Sequence, residues 1–347
     1  LAGNVAPEDF AVTATWLLGL ALAWGANPVP PDEAAMKAAA DYSKAHRGHS
    51  CLILFDGKVL FERYDNGGAA DRRHMLASGS KSFVGIAAVA AVQDKIIRLD
   101  DPVCEVLTEW KEDPLKSKIT YRHLLTLTSG LTPGEWGTAT KAPPWKEMAA
   151  KPMTGKPGEQ FEYGAYQLNV FAYALERKLH QETFEAYLKG RILDPIGATV
   201  EWRIRCQDGH PQVGGGAFMT ARDWAKFGEF VRQGGQWDGK QVVDRKLLAE
   251  CFIGTPQNPA YGLTWWLKKE VSAELRRKIP ILSREWGEVA NADWVPADLV
   301  AACGAGKQRL YVIPSRKLVI VRQGSLSLGF SDLEFLSWLL RGRFAGR

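Results

Sequence analysis

Cysteine is scarce and scattered in this chain. Five residues, Cys51, Cys104, Cys206, Cys251 and Cys303, stand among 347. There is no Cys-x-x-Cys, and no cysteine–histidine group has metal-ligand spacing, so no metal site is expected. The odd count leaves at least one thiol free. The chain also lacks a basic run and any interleaving of basic with aromatic residues, and its net charge is only +5. A nucleic-acid partner is therefore not expected. Internal repeats and low-complexity segments are absent. The apolar stretch from Ala11 to Trp24 is too short to span a bilayer comfortably, so stable membrane insertion is not expected. That stretch has the length of a signal peptide, and Ala21-Leu22-Ala23 fits a small-x-small cleavage site. Its flank, however, carries Glu8 and Asp9 and no lysine or arginine. Residues 1–27 are read as an export signal or N-terminal extension, with a short packed helix as the other reading. A periplasmic or secreted location follows from the first, a cytoplasmic one from the second.

What is present is the composition of a globular protein, 46% hydrophobic and 24% charged. Its length allows one large domain or two intertwined ones. Thirteen tryptophans are many. Most should be core, and some could line an apolar pocket.

The chain is organised around Ala77-Ser78-Gly79-Ser80-Lys81-Ser82-Phe83. The run from Val84 to Val92 that follows is apolar at every helical phase, as in a helix buried on all sides. Ser78 and Lys81 then fall one turn apart on one face at the helix start. Free N–H groups and the positive end of the dipole favour negative charge there. Ser-x-x-Lys can make a serine nucleophilic without histidine. A capping serine beside a solvated lysine has the same four-residue pattern, and the motif alone leaves both readings open.

Asp32 to Arg47 reads as an alanine-rich helix. Cys51–Phe55 and Lys58–Tyr64 read as strands of a hairpin turning at Asp56-Gly57. Thr120 caps a short helix running toward Gly130. His123 within it is read as structural, because no acidic residue is placed to orient it. Further helices are expected after Tyr166, over 184–193, over 224–233 and over 242–252. Gly214-Gly215-Gly216 marks a turn where the backbone must approach something closely. Tyr261–Leu267, Arg309–Ile313 and Lys317–Arg322 read as strands, and 333–344 as a closing helix. Strands at both ends with helices between them predict an α+β fold. An antiparallel sheet domain from 28–80 and 255–347 would carry an inserted all-helical domain from 81–254.

Taken together, these blocks resemble a known family: the serine hydrolases related to class C β-lactamases and penicillin-binding proteins. The resemblance rests on Ser78-Gly79-Ser80-Lys81, Leu99-Asp100-Asp101-Pro102, Arg122 to Leu131, Phe161-Glu162-Tyr163, Gly215 to Asp223 and Gln308 to Pro314, all in the family's order. It is strongest to the branch of family VIII carboxylesterases and 6-aminohexanoate-dimer hydrolase. It implies a β-lactamase/transpeptidase-like fold and an acyl-enzyme at Ser78, with Lys81 and Tyr163 sharing the role of base. Tyr163 would open the second motif of the family, read here as Tyr163-Gly164-Ala165 without the usual asparagine. A literal Tyr64-Asp65-Asn66 precedes the nucleophile and ends a hairpin, so it is rejected. The third motif falls at Ala302-Cys303-Gly304, where the usual cation and hydroxyl are both missing. The backbone N–H groups of Ser78 and Ala305 would form the oxyanion hole, with Gly304 and Cys303 beside the substrate. Trp136, Trp265 and Trp266 could wall the acyl pocket, although each is more readily a core residue. No cofactor and no metal are implied. The missing polar end points away from β-lactams and toward small neutral esters, with linear amides as the alternative. A β-lactam-recognising enzyme and a non-catalytic binding or sensing member remain as rival readings.

Overall fold

The protein is represented by a computed structural model that describes residues 28–134, 142–279, 282 and 286–343. The N-terminal stretch 1–27 and Trp136 lie outside the described residues. Among the described residues no helix is long and apolar enough to cross a membrane.

The strands are β1 (Gly48–Phe55), β2 (Lys58–Tyr64), β3 (His74–Met75), β4 (Glu201–Trp202), β5 (Ala217–Met219), β6 (Gln236–Trp237), β7 (Lys240–Gln241), β8 (Trp266–Leu267), β9 (Val300–Gly304), β10 (Gln308–Ile313) and β11 (Leu318–Gly324). Six of them form the main sheet in the order β2-β1-β11-β10-β9-β8. Every pairing in it is antiparallel. The two ends of the sequence thus meet at β1 and β11, whose register runs from Gly48 opposite Gly324 to Phe55 opposite Leu318. A second, three-stranded sheet has the order β3-β5-β4.

The period-two alternation of strands decides what each sheet face carries. In β10 Leu310 turns one way, and in β11 Val319, two residues from Leu310's partner Val321, does the same. Both press on Gly228 of the helix Ala221–Arg232, where an added Cβ would come within 2.6 Å of Leu310 and 2.7 Å of Val319. This helix therefore packs on the sheet, although its place in the sequence falls inside 81–254. Arg309 and Tyr311 turn to the other face, covered by the helices Glu33–Ala45 and Asp332–Arg341. Tyr311 stacks on Phe335 there at 6.0 Å between ring centroids.

The helix Lys81–Gln93 runs through the core, and every residue from Lys81 to Ala91 is buried. Gly85 lets the backbone of Leu263 lie against it; a Cβ at that position would sit 2.2 Å from the Leu263 carbonyl oxygen.

Two elements differ from the sequence reading. The strand expected over Tyr261–Leu267 is only β8. The chain before it doubles back, with Gly262 N–H donating to the Trp265 carbonyl at 2.9 Å and Thr264 at φ 69°. The helix expected over 242–252 begins at Arg245, because Asp244 caps it by accepting from the N–H groups of Lys246 and Leu247.

Candidate active site

The site forms where the first turn of the buried helix meets the end of β9. Ala77–Ser80 is a 3-10 turn leading into Lys81. Ala77 adopts φ 48°, a left-handed conformation that costs an alanine about 1–2 kcal/mol. The neighbouring serines hold the turn in place. Ser80 Oγ donates to the Ala77 carbonyl at 2.6 Å and accepts from Ala217 N–H at 3.1 Å, tying the turn to β5. Ser82 Oγ donates to the Gly79 carbonyl at 2.7 Å. Trp224 packs under Gly79, where a Cβ would meet its ring at 2.9 Å. Of the three serines in this stretch only Ser78 is partly exposed.

Lys81 is 3% exposed and its Nζ donates to Ser78 Oγ at 3.2 Å and to the Gly214 carbonyl at 2.6 Å. The triple-glycine turn therefore does approach something closely, and that partner is the lysine. Gly214 also abuts Ala165, whose Cβ would lie 2.6 Å from a Cβ at 214. Burial pushes the Lys81 amine down to about 7 from the ordinary 10.5. Near neutral pH a large share of the amine is then unprotonated and can accept a proton from the serine beside it.

Tyr163 stands beside the amine, with its ring centroid 5.1 Å from Lys81 Nζ. It precedes the helix Tyr166–Lys178, as the sequence suggested. An aromatic group fixes its ring: Tyr261 at 6.0 Å and Trp266 at 5.6 Å between centroids. Tyr261 is fully buried, and that burial holds its phenol well above the usual range. Trp266 was among the tryptophans expected near the pocket. Tyr261 was not expected there, and its only sequence signal was the aromatic density around 261–266.

Gly304 ends β9 against the nucleophile turn. A Cβ there would lie 2.0 Å from the Leu76 carbonyl oxygen and 3.0 Å from the Gly79 nitrogen. Only a glycine permits this contact. Cys303 is 6% exposed and Ala302 is 2% exposed, so neither presents a cation or hydroxyl. Ala305 is exposed just beyond the strand.

Trp265 is not a pocket wall. It is fully buried and packs on Phe227 and Phe252, at 6.1 Å and 5.7 Å between centroids. Neighbours along an extended chain face opposite ways; Trp266 turns toward Tyr163 and Trp265 into the core. His123 is structural. Its Nδ1 accepts the Thr120 N–H at 3.2 Å and closes a capping box, and burial lowers its pKa. Tyr64 is bonded to Glu62, and Asn66 closes the hairpin base onto the Gly48 carbonyl at 2.9 Å.

The chain is similar to several known proteins. The 6-aminohexanoate-dimer hydrolase of Paenarthrobacter ureafaciens is 28% identical over 226 residues, covering 58% of this chain and 56% of that protein. A beta-lactamase of Yersinia enterocolitica is 29% identical over 161 residues, covering 43% and 40%. The chain thus spans about half the length of these two relatives. The crystal structure of a D-stereospecific amidohydrolase from Streptomyces sp. superposes with a TM-score of 0.65 at 15% identity, over 90% of this chain and 100% of that one; at that identity the likeness is one of fold. The family model described as Beta-lactamase matches residues 33–323, and the chain belongs to that family of serine hydrolases.

Proposed function

We propose that the protein hydrolyses small neutral esters through an acyl-enzyme at Ser78. The observation that carries this reading is a buried lysine, depressed to about 7, whose amine lies 3.2 Å from a partly exposed serine oxygen. In the proposed sequence, unprotonated Lys81 takes the Ser78 proton as Oγ bonds to the substrate carbonyl carbon. The oxyanion lies against the N–H groups of Ser78 and Ala305. The tetrahedral intermediate collapses by breaking the bond to the leaving alcohol. The proton returns to that alcohol from Lys81, with the Tyr163 hydroxyl as relay. Water then enters, gives its proton to the same base, and releases the acid and free Ser78.

Substrate preference follows from what Ala302-Cys303-Gly304 lacks. A buried alanine and a buried cysteine offer no bidentate or ionic contact to a β-lactam carboxylate. Such a contact is worth on the order of 10²-fold in selectivity. Linear amides are the second reading, favoured by the likeness to 6-aminohexanoate-dimer hydrolase and to the Streptomyces amidohydrolase.

The test is a comparison of kcat/KM for p-nitrophenyl acetate and butyrate, an amino-acid p-nitroanilide and a chromogenic cephalosporin. The esters should lead, and their rate should rise with pH about a midpoint near 7 as Lys81 loses its proton. Cephalosporin turnover equal to that of the esters would overturn the substrate assignment.

A further inference from the structure

The sheet face beneath the terminal helices carries two buried guanidinium groups. Arg309 in β10 and Arg322 in β11 stand directly opposite one another across the ladder. Both are 0% exposed. Two like charges side by side in the core are costly unless fully bonded. Arg309 is paired with Asp332 through Nε at 2.5 Å and Nη2 at 3.0 Å. The Tyr311 hydroxyl donates to the same carboxylate at 2.6 Å. Arg322 lies over the Phe330 ring at 4.2 Å and donates to the His46 carbonyl at 2.6 Å.

Arg322 Nε has no hydrogen-bond partner among the described residues, but the Nη1 groups of both arginines converge on one short turn. Arg309 Nη1 donates to the carbonyls of Gly304 at 3.0 Å and Gln308 at 2.9 Å. Arg322 Nη1 donates to Gly306 at 3.1 Å and Lys307 at 2.7 Å. The turn between β9 and β10 is thus held at four carbonyls by two rigid forks. Gly306 at φ 76° and Lys307 at φ 59° already supply the left-handed residues that a tight hairpin needs. Chain reversal alone does not call for buried arginines.

We propose that Arg309, braced by Asp332 and Tyr311, is a positioning residue that aims the Ala305 N–H at the oxyanion, with Arg322 fixing the rest of the turn. The inference rests on the Ser78 acyl-enzyme reading. The Gly304 carbonyl and the Ala305 N–H belong to one planar trans peptide and point in opposite directions. A guanidinium holding the carbonyl from the β10 side therefore turns the N–H away from β10. That direction leads to the β9 edge beyond Ala301, where β8 no longer pairs and the Leu76–Gly79 backbone lies against Gly304. A charged donor on the carbonyl also polarises the peptide and strengthens its N–H as a donor.

The experiment compares the wild type with Arg309→Lys and with the double variant Arg309→Met/Asp332→Leu. The double variant removes both charges and leaves neither one buried alone. Each is assayed with a p-nitrophenyl ester and with the matching thionoester, whose sulfur accepts hydrogen bonds poorly. Wild type and variants are also treated with a fluorophosphonate and weighed intact. Losing one oxyanion donor outright costs about 10²–10³ in kcat, and a misaimed donor should cost roughly 10–100-fold. The expected result is that loss in ester kcat, with KM little changed and the ester-to-thionoester rate ratio contracted. An equal loss on both substrates, or unchanged ester kinetics in a folded variant, overturns the proposal while Ser78 labelling of the wild type keeps the parent reading. A wild type that takes no label at Ser78 overturns both.

Discussion

Replacing Lys81 with methionine should change stability in a way that depends on pH and identifies the buried amine. The Lys81 pKa is about 7 in the folded protein and ordinarily 10.5. At 1.36 kcal/mol per unit, the charged form is disfavoured by roughly 4–5 kcal/mol in the folded state. Because the folded value is the lower one, the unfolded chain binds more protons between pH 7 and 10.5, and wild-type stability rises across that window. Below pH 7 the charged amine is buried and the full penalty is present. Lys81→Met removes the penalty at every pH. It also strands the Gly214 carbonyl, which accepts from Nζ at 2.6 Å, a loss of about 1–3 kcal/mol that does not vary with pH. The variant should therefore be more stable than the wild type at pH 6 by about 1–4 kcal/mol. That advantage should shrink by about 2–3 kcal/mol by pH 9. Urea unfolding of both proteins at pH 6, 7.5 and 9 measures it, since every other titrating group is common to the pair. A stability gap constant across the three pH values would refute the buried, depressed lysine and with it the base assigned to Ser78.

Other consequences follow from the same geometry. Tyr163→Phe keeps the ring against Trp266 and removes the hydroxyl, so kcat for the ester should fall about 10²-fold while the melting temperature stays unchanged. Gly304→Val places a Cβ 2.0 Å from the Leu76 carbonyl oxygen, and the forced separation should cost about 1–3 kcal/mol and remove most ester turnover. Trp265→Ala empties a core position and should cost about 3–5 kcal/mol in urea unfolding. Its kcat/KM per folded molecule should stay near the wild-type value, whereas a pocket tryptophan would change KM.

The sequence made the centre of the fold legible because its signals are local. An apolar run with no polar face can only be a buried helix, and Ser78 and Lys81 at its start inherit that placement. The Thr120 cap and the Asp56-Gly57 hairpin were readable for the same reason. The Gly214–Gly216 turn announced a close approach, but Lys81 as its partner is 133 positions away in the chain and left no local mark. The pairing of Trp265 and Trp266 hid a choice of face, which the doubled-back 261–265 segment decides. Arg309 and Arg322 fall in the two expected C-terminal strands, and nothing local in the sequence marks them as buried. Only the register of β10 on β11 and the arrival of Asp332 bury them together. Tertiary contacts of this kind are set by distant residues, and no periodicity encodes them.

The central claim is that Ser78 is the nucleophile, and intact-mass spectrometry after fluorophosphonate treatment tests it directly. Wild type should gain one adduct and Ser78→Ala none, with Lys81→Met labelled far more slowly than wild type. An unlabelled wild type, or an adduct that persists in Ser78→Ala, would contradict the account.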